Sequence, residues 1–437
     1  YNTASGSWAL WANTTGSYNT ASGYLALYTN TTGINNTASG REALYSNTTG
    51  SRNTGIGQAT LYYNTTGDYN VAIGHHALNR NTTASYNTAV GEEALMYNTT
   101  ASYNTAIGHY ALYSNTTGDY NTATGRQALY LNTTGVSNTA TGRQVLYSNT
   151  TGSYNTASGR EALYSNTTGG YNTASGYQAL YANTTANYNV ASGYKALYSN
   201  TTGDKTTACG AWALWANTTG DYNTAVGYDA LQLNTTGSNN TAIGYYALLS
   251  NTTGSYNTAS GYQALYVNTT GTQNTALGYY AGNNITTGDY NLCLGYDAEP
   301  SSATVDGEVV LGDNHIGTLR CNVSTFSSVS DARDKKEVEP SPLGVDFLNK
   351  LNPVKFLWDS RDGNSKDGTY EIGFIAQELQ VVQADTSTEY LKMVLDTNPD
   401  RLEASYGQLV PILVQAIKEL SAQVKELSID VNQLQTT

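Results

Sequence analysis

No proline precedes Pro300 in this 437-residue chain. Proline cannot donate a backbone hydrogen bond, so its absence fits a backbone whose N–H groups are nearly all paired. Charge is also scarce. Asp, Glu, Lys and Arg make up only 12% of the residues, with 20 basic against 33 acidic side chains and a net charge of −13. That excludes a basic surface for nucleic acid or an anionic membrane. No apolar run approaches the roughly 20 residues of a membrane helix, so no membrane span is expected. Cysteine is rare. Cys209, Cys293 and Cys321 are an odd number in a long chain, which excludes a disulfide framework and reads as small buried hydrophobes. A signal peptide and an initiator Met are missing, and the chain begins in phase with its own repeat, so it reads as part of a longer protein.

What fills the space is one short phrase. From Tyr1 to Asp289 the chain is seventeen units of seventeen residues, without insertion or deletion. Tyr18–Ile34 reads YNTASGYLALYTNTTGI; an eighteenth unit starts at Tyr290 and loses its pattern after Ala298. A strict period of this length marks a solenoid or fibre in which each unit is one coil. At about 4.8 Å per coil the stack is roughly 80 Å long. Position 6 is always Gly, which predicts a corner with positive φ or a close backbone approach. Position 10 is Leu in sixteen of the seventeen units, with Gly282 the exception, and positions 4 and 9 are nearly always Ala. Those fixed small and apolar residues predict a narrow layered core. Asn-Thr-Thr-Gly is turn chemistry, and its stacking predicts ladders of side-chain amides and hydroxyls. No 3.6-residue period crosses the units, so helix is not expected there.

Positions 1, 5, 7, 8, 11, 12 and 17 vary and are expected to face outward. Trp8 with Trp11, and Trp212 with Trp215, hold the same two phases twelve units apart. Rows of exposed aromatics either bind sugar rings or close the surface between coils and between subunits. His75 and His76 are adjacent and are expected to face different ways, so no metal site is expected, and no cofactor. The first sixteen units each match the N-glycosylation acceptor at Asn-Thr-Thr, a match that copying one turn explains.

Residues 299–329 form a neck, with short strands expected at Gly307–Gly312 and Gly317–Val323 around a turn at Asp313-Asn314. Acidity then rises. Residues 290–437 hold 12 basic and 23 acidic residues, and residues 1–289 hold 8 and 10. Val345–Leu351 has helical spacing, Pro353–Trp358 alternates like a strand, and Ile372–Glu378 reads as a buried strand running into a helix. Leu413, Ile417, Leu420, Val424, Leu427, Val431 and Leu434 step by four and three, a heptad seam of about three turns. The fold class expected is mainly β: a trimeric parallel β-solenoid or β-roll shaft over 1–298, the neck, and a small α+β domain over 330–437 that ends in a coiled coil over 409–437. A triple β-spiral remains the alternative for the shaft.

Two resemblances sharpen this. The phrase Asn-Thr-Ala-x-Gly-x-x-Ala, as at Asn104–Ala111, resembles the head repeats of trimeric autotransporter adhesins, which implies a β-roll of three chains about one axis. Here the units are longer, and many carry Ser at position 5 where those heads prefer an aliphatic residue. Further along come Ser-Asp-Ala-Arg-x-Lys at 330–335, Leu351-Asn352-Pro353-Val354, Gly373-Phe374-Ile375-Ala376-Gln377-Glu378, and Tyr406 followed by Leu409-Val410-Pro411-Ile412-Leu413 and Ala416-Ile417. In this order they resemble the C-terminal intramolecular chaperone of endosialidase-type phage tailspikes and tail fibres. That family implies a homotrimeric domain that sets the register of three chains, drives shaft folding and then cuts itself off. It implies Ser330 as nucleophile, Lys335 as base, and cleavage beside Ser330 at the Ser330–Asp331 bond. Asp334 stands where the family usually has Leu. A Ser-Lys pair is a recognised nucleophile and base, provided that the lysine is depressed from its free value near ~10.4. The implied protein is a structural and adhesive fibre of a virion tail, directed at a host glycan or receptor. A cell-surface adhesin or extracellular filament is the alternative. The only enzymatic activity expected is single-turnover self-cleavage.

Overall fold

The computed structural model describes residues 1–313, 315–316, 332–359, 368–396 and 402–435. It divides into Tyr1–Leu311 and Gly312–Thr437.

The first unit is a parallel β-solenoid. Nineteen three-residue strands, from β1 (Thr3–Ser5) to β19 (Val309–Leu311), form one sheet. Each strand pairs with the next at an offset of seventeen residues, as in Thr3↔Thr20 and Leu292↔Val309. One repeat is therefore one coil, and the spiral alternative is excluded. The phase runs past Ala298, where the repeated phrase stops, and brings Val309–Leu311 onto β18 (Leu292–Leu294). The expected strand at 307–312 is thus the last rung of the solenoid. The expected strand at 317–323 and Cys321 lie outside the described residues.

The core has two layers of chemistry. Leu at position 10 and Ala at positions 4 and 9 form one continuous buried column. Beside it run two columns of buried asparagine. Asn47 Nδ2 donates to Asn30 Oδ1 at 2.9 Å and to Gly50 O at 2.8 Å. In the second column Asn36 N–H donates to Asn19 Oδ1 at 2.9 Å, and Asn36 Nδ2 to Gly50 O at 2.8 Å. A buried amide without partners costs on the order of 1–3 kcal/mol; stacking identical coils gives nearly every amide a partner at the next level. The acceptor asparagines of the Asn-Thr-Thr phrase are these buried residues, 0% exposed from Asn30 to Asn268. The folded shaft offers them no route to a glycan.

The corners explain the invariant glycine. Position 6 has φ between 116° and 145° in every coil. A Cβ there would strike the backbone of the next corner glycine. Positions 8 and 10 are also left-handed, for example Leu25 at φ 58° and Leu27 at φ 50°. For non-glycine residues this costs about 1–2 kcal/mol each, a strain that only a cooperative stack sustains.

The second unit is small and mixed. Helix α1 is Val345–Leu348, and β20 (Val354–Leu357) pairs antiparallel with β21 (Tyr370–Gly373). Helix α2 is Ala376–Thr386, β22 (Val394–Leu395) pairs with β23 (Glu403–Ala404), and α3 is the 27-residue helix Leu409–Gln435. Phe347, Leu379, Met393, Leu409 and Ile412 make its core. The strand expected to be buried at 372–378 is instead open: Ile372 is 75% exposed. Its ribbon has two strands, and among the described residues nothing covers that face.

Candidate functional site

Ser330 and Asp331 lie outside the described residues, as does the side chain of Asp334. Lys335 follows the short 3-10 turn Ala332–Asp334, is exposed, and donates its backbone N–H to Ala332 O at 3.3 Å. The remaining motif residues are brought together. Val354 faces Gly373 across the ribbon, which places Leu351-Asn352 beside Phe374-Ile375. Asn352 Nδ2 donates to Glu378 Oε2 at 3.1 Å. Phe374 N–H donates to the Tyr406 hydroxyl at 3.2 Å, and the two rings meet edge to face at 5.5 Å. A Cβ on Gly373 would lie 2.9 Å from that hydroxyl, so the close approach needs glycine. Leu351, Asn352, Phe374, Ile375, Glu378 and Leu379 line a groove of about 370 Å³. Motifs read as separate in the sequence are one packed knot.

Helix α3 presents two apolar faces. Leu409, Ile412 and Ala416 are buried in the domain. The heptad seam points elsewhere: Ile417 is 64% exposed and Leu434 76%. At the base of α3, Glu419 Oε2 accepts the Val345 N–H at 2.9 Å. That hydrogen bond, then one from Gln415, holds the Glu419 carboxyl below the usual carboxylate range. A Cβ on Gly344 would collide with this carboxylate.

On the shaft the aromatic rows are columns. From Tyr113 through Tyr198 successive position-11 rings stack with centroids 5.1–5.2 Å apart. Their faces cover one another, so they close the surface between coils instead of offering it to sugar rings. Such pairs contribute about 0.5–1.5 kcal/mol each beyond area burial. Cys293 is a buried core residue whose thiol burial pushes up to about 12; Cys209, read as buried from the sequence, is exposed.

The expectation for His75 and His76 is corrected. Their rings stack at 4.0 Å, on one side of the chain. Alternation belongs to extended backbone, and His76 sits at φ 55° in the turn after Gly74. Burial, then the neighbouring His75, holds His76 below the usual imidazole range.

A long parallel solenoid is followed by a small α+β unit whose terminal helix carries an exposed heptad seam. Residues 330–388 match the family described as Chaperone of endosialidase, so this segment carries a domain of that family. Together the two units fit a tail fibre with a chaperone domain. The match begins at Ser330 and ends before the Tyr406–Ile417 motif. No curated protein matches the chain.

Proposed function

We propose that the chain is a homotrimeric fibre of the tail-fibre or tailspike type, exposed on a virion and adhesive toward a host-surface glycan or receptor. Residues 330–437 align three chains, template the shaft and then release themselves. The observation that carries this is the exposed seam on α3: an apolar heptad stripe on a helix whose other face is already buried, in a unit that carries a chaperone-family segment. A second and third copy of the same helix cover that stripe in parallel register. A low-complexity solenoid needs such a device, because a slip of one coil keeps nearly every contact.

Self-release follows the family's dyad. Lys335 takes the proton of the Ser330 hydroxyl, whose oxygen attacks the Ser330 carbonyl of a neighbouring chain in the trimer. The Ser330–Asp331 bond breaks as the lysine passes that proton to the departing Asp331 amine, and a water then hydrolyses the ester to leave a Ser330 carboxylate on the shaft. Cutting after assembly removes the register-setter and leaves the shaft kinetically trapped. The test is expression of the wild-type chain with Ser330→Ala and Lys335→Ala, read by intact mass and light scattering. The wild type yields a shaft ending at Ser330 and a tail of Asp331–Thr437. Both variants stay at 46.6 kDa and still form trimers. Equal cutting in Ser330→Ala sinks the self-cleavage reading, and a monomer mass for the folded full chain sinks the trimer.

A further inference from the structure

Three of the chain's four histidines fall on the first and third of three successive coils, His75 with His76 on one and His109 on the other, and its one Glu-Glu pair, Glu92-Glu93, falls on the coil between them. The coil offset of seventeen stacks them in two short columns, His75–Glu92–His109 and His76–Glu93–Tyr110. Glu92 faces both neighbours in its column, with Oε1 3.9 Å from His75 Nδ1 and Oε2 3.4 Å from His109 Nε2. His75, His76 and Glu93 each present a donor atom, all within 4.8 Å of one another.

We propose that His75, His76 and Glu93 form a surface site for a divalent transition-metal ion of the zinc class. Two imidazoles and a carboxylate suit zinc, copper or nickel, whereas calcium and magnesium prefer all-oxygen shells. Zinc bonds of about 2.0–2.2 Å put tetrahedral donors about 3.3 Å apart, so donors that now lie within 4.8 Å of one another close inward by at most about 1.5 Å. Side-chain rotation supplies that: His75 is exposed and has room to shift, while half-buried His76 and Glu93 hold the frame. The backbones beneath are fixed by the coil ladder, with Glu93 N–H bonded to His75 O at 2.9 Å. Glu92 Oε1 stands 3.9 Å from His75 Nδ1, too far for a hydrogen bond as the ring now lies, but on the side of the ring from which a carboxylate orients a metal-bound histidine. Two donors come from one coil and the third from the next, so the ion staples adjacent turns of the shaft. The fourth position stays open to water or to an imidazole or carboxylate of another molecule.

The test is calorimetric titration of the full Ser330→Ala chain, stripped with chelator, with zinc chloride in a non-phosphate buffer. Saturable binding of one zinc ion per chain is expected. His76→Ala and Glu93→Gln each abolish it, and His315→Ala, at the remaining histidine, leaves it intact. A second readout is thermal unfolding, in which zinc raises the transition of the parent chain and not that of His76→Ala. The proposal is overturned by any of three results: no saturable heat up to millimolar zinc, binding that survives both His76→Ala and Glu93→Gln, or calcium binding more tightly than zinc at this site.

Discussion

The solenoid and the C-terminal unit solve the same problem in opposite ways. In the solenoid every coil finds its partners in the coils beside it. Leu, Ala and Asn are sealed at 0% exposure in nearly every layer, and the unit needs little charge. The C-terminal unit closes only a small core and leaves Ile372, Ile417, Val424 and Leu427 in the open. It also carries most of the net charge. Repetition gives the shaft strength but no information about register, since each level looks like the next. The C-terminal unit is incomplete in itself: it exposes an apolar stripe that two further copies of α3 would cover in the proposed trimer. A fibre needs one unit of each kind.

The largest break in this comparison comes at a shaft corner. Gly125 has φ 130°, and a Cβ there strikes the Gly142 backbone. Gly125→Val adds strain and collision at a site where no flexible side chain can yield. A loss of about 4 kcal/mol or more is expected, felt first as hydrogen exchange in the coils around residue 125. An unchanged melting curve with unchanged exchange would remove the corner assignment. The opposite substitution, Ile417→Lys on the seam, is expected to leave shaft coils intact once formed and to prevent trimer assembly, as read by light scattering.

A natural exception sharpens the shaft side. In the seventeenth coil Leu is replaced by Gly282 and, three residues on, Asn by Ile285. Ile285 is fully buried, and its Cδ1 lies 3.3 Å from where a Cβ on Gly282 would sit. The isoleucine fills the space the missing leucine leaves. The amide ladder stops as a result: Asn268 Oδ1 is buried with no hydrogen-bond partner. Gly282→Leu alone overpacks and Ile285→Asn alone opens a cavity, each costing about 1–3 kcal/mol. The double change restores the repeat, pairs Asn268 and is expected to stabilise by about 1 kcal/mol. A double-mutant cycle by thermal unfolding reads the coupling. Additive effects would mean that the two positions do not share one space.

Much of this was legible beforehand because the repeat prints its own phase. The invariant glycine, the Leu and Ala column and the Asn-Thr ladders follow from which positions never vary. What the sequence hid was backbone hand. Left-handed φ at positions 1, 8 and 10 is carried by Tyr, His, Glu and Leu, residues that do not advertise it, and this is why His75 and His76 were expected on opposite sides. Cys209 is a different case: it sits at position 5, one of the variable positions expected outward, and the expectation of burial came from its residue type alone. In the C-terminal unit the order of the motifs announced a family, and their convergence at Tyr406 needed coordinates. The exposure of Ile372 was unreadable, because an apolar strand looks the same whether its cover is the same chain or another.

The smallest effect expected is a pH response confined to the C-terminal unit. Glu419 on α3 accepts the first free N–H of α1, at Val345, and Gln415 Nε2 donates to its other oxygen at 3.0 Å. Both bonds favour the ionised carboxylate, so its folded-state pKa lies below its unfolded value. The sign follows from that direction. The stabilisation is fully present above the unfolded pKa, near ~4.3 for Glu, and is lost as pH falls through the lower folded pKa. Helix α1 should therefore loosen from α3 below about pH 4, seen as faster amide exchange at Val345–Leu348 while the shaft coils stay protected. Glu419 is only half-buried and solvent screens its charge, so the change is modest. Glu419→Gln keeps one acceptor oxygen, is slightly looser at neutral pH and should abolish the acid-dependent step in α1. Retention of that step in Glu419→Gln would assign it to another carboxyl.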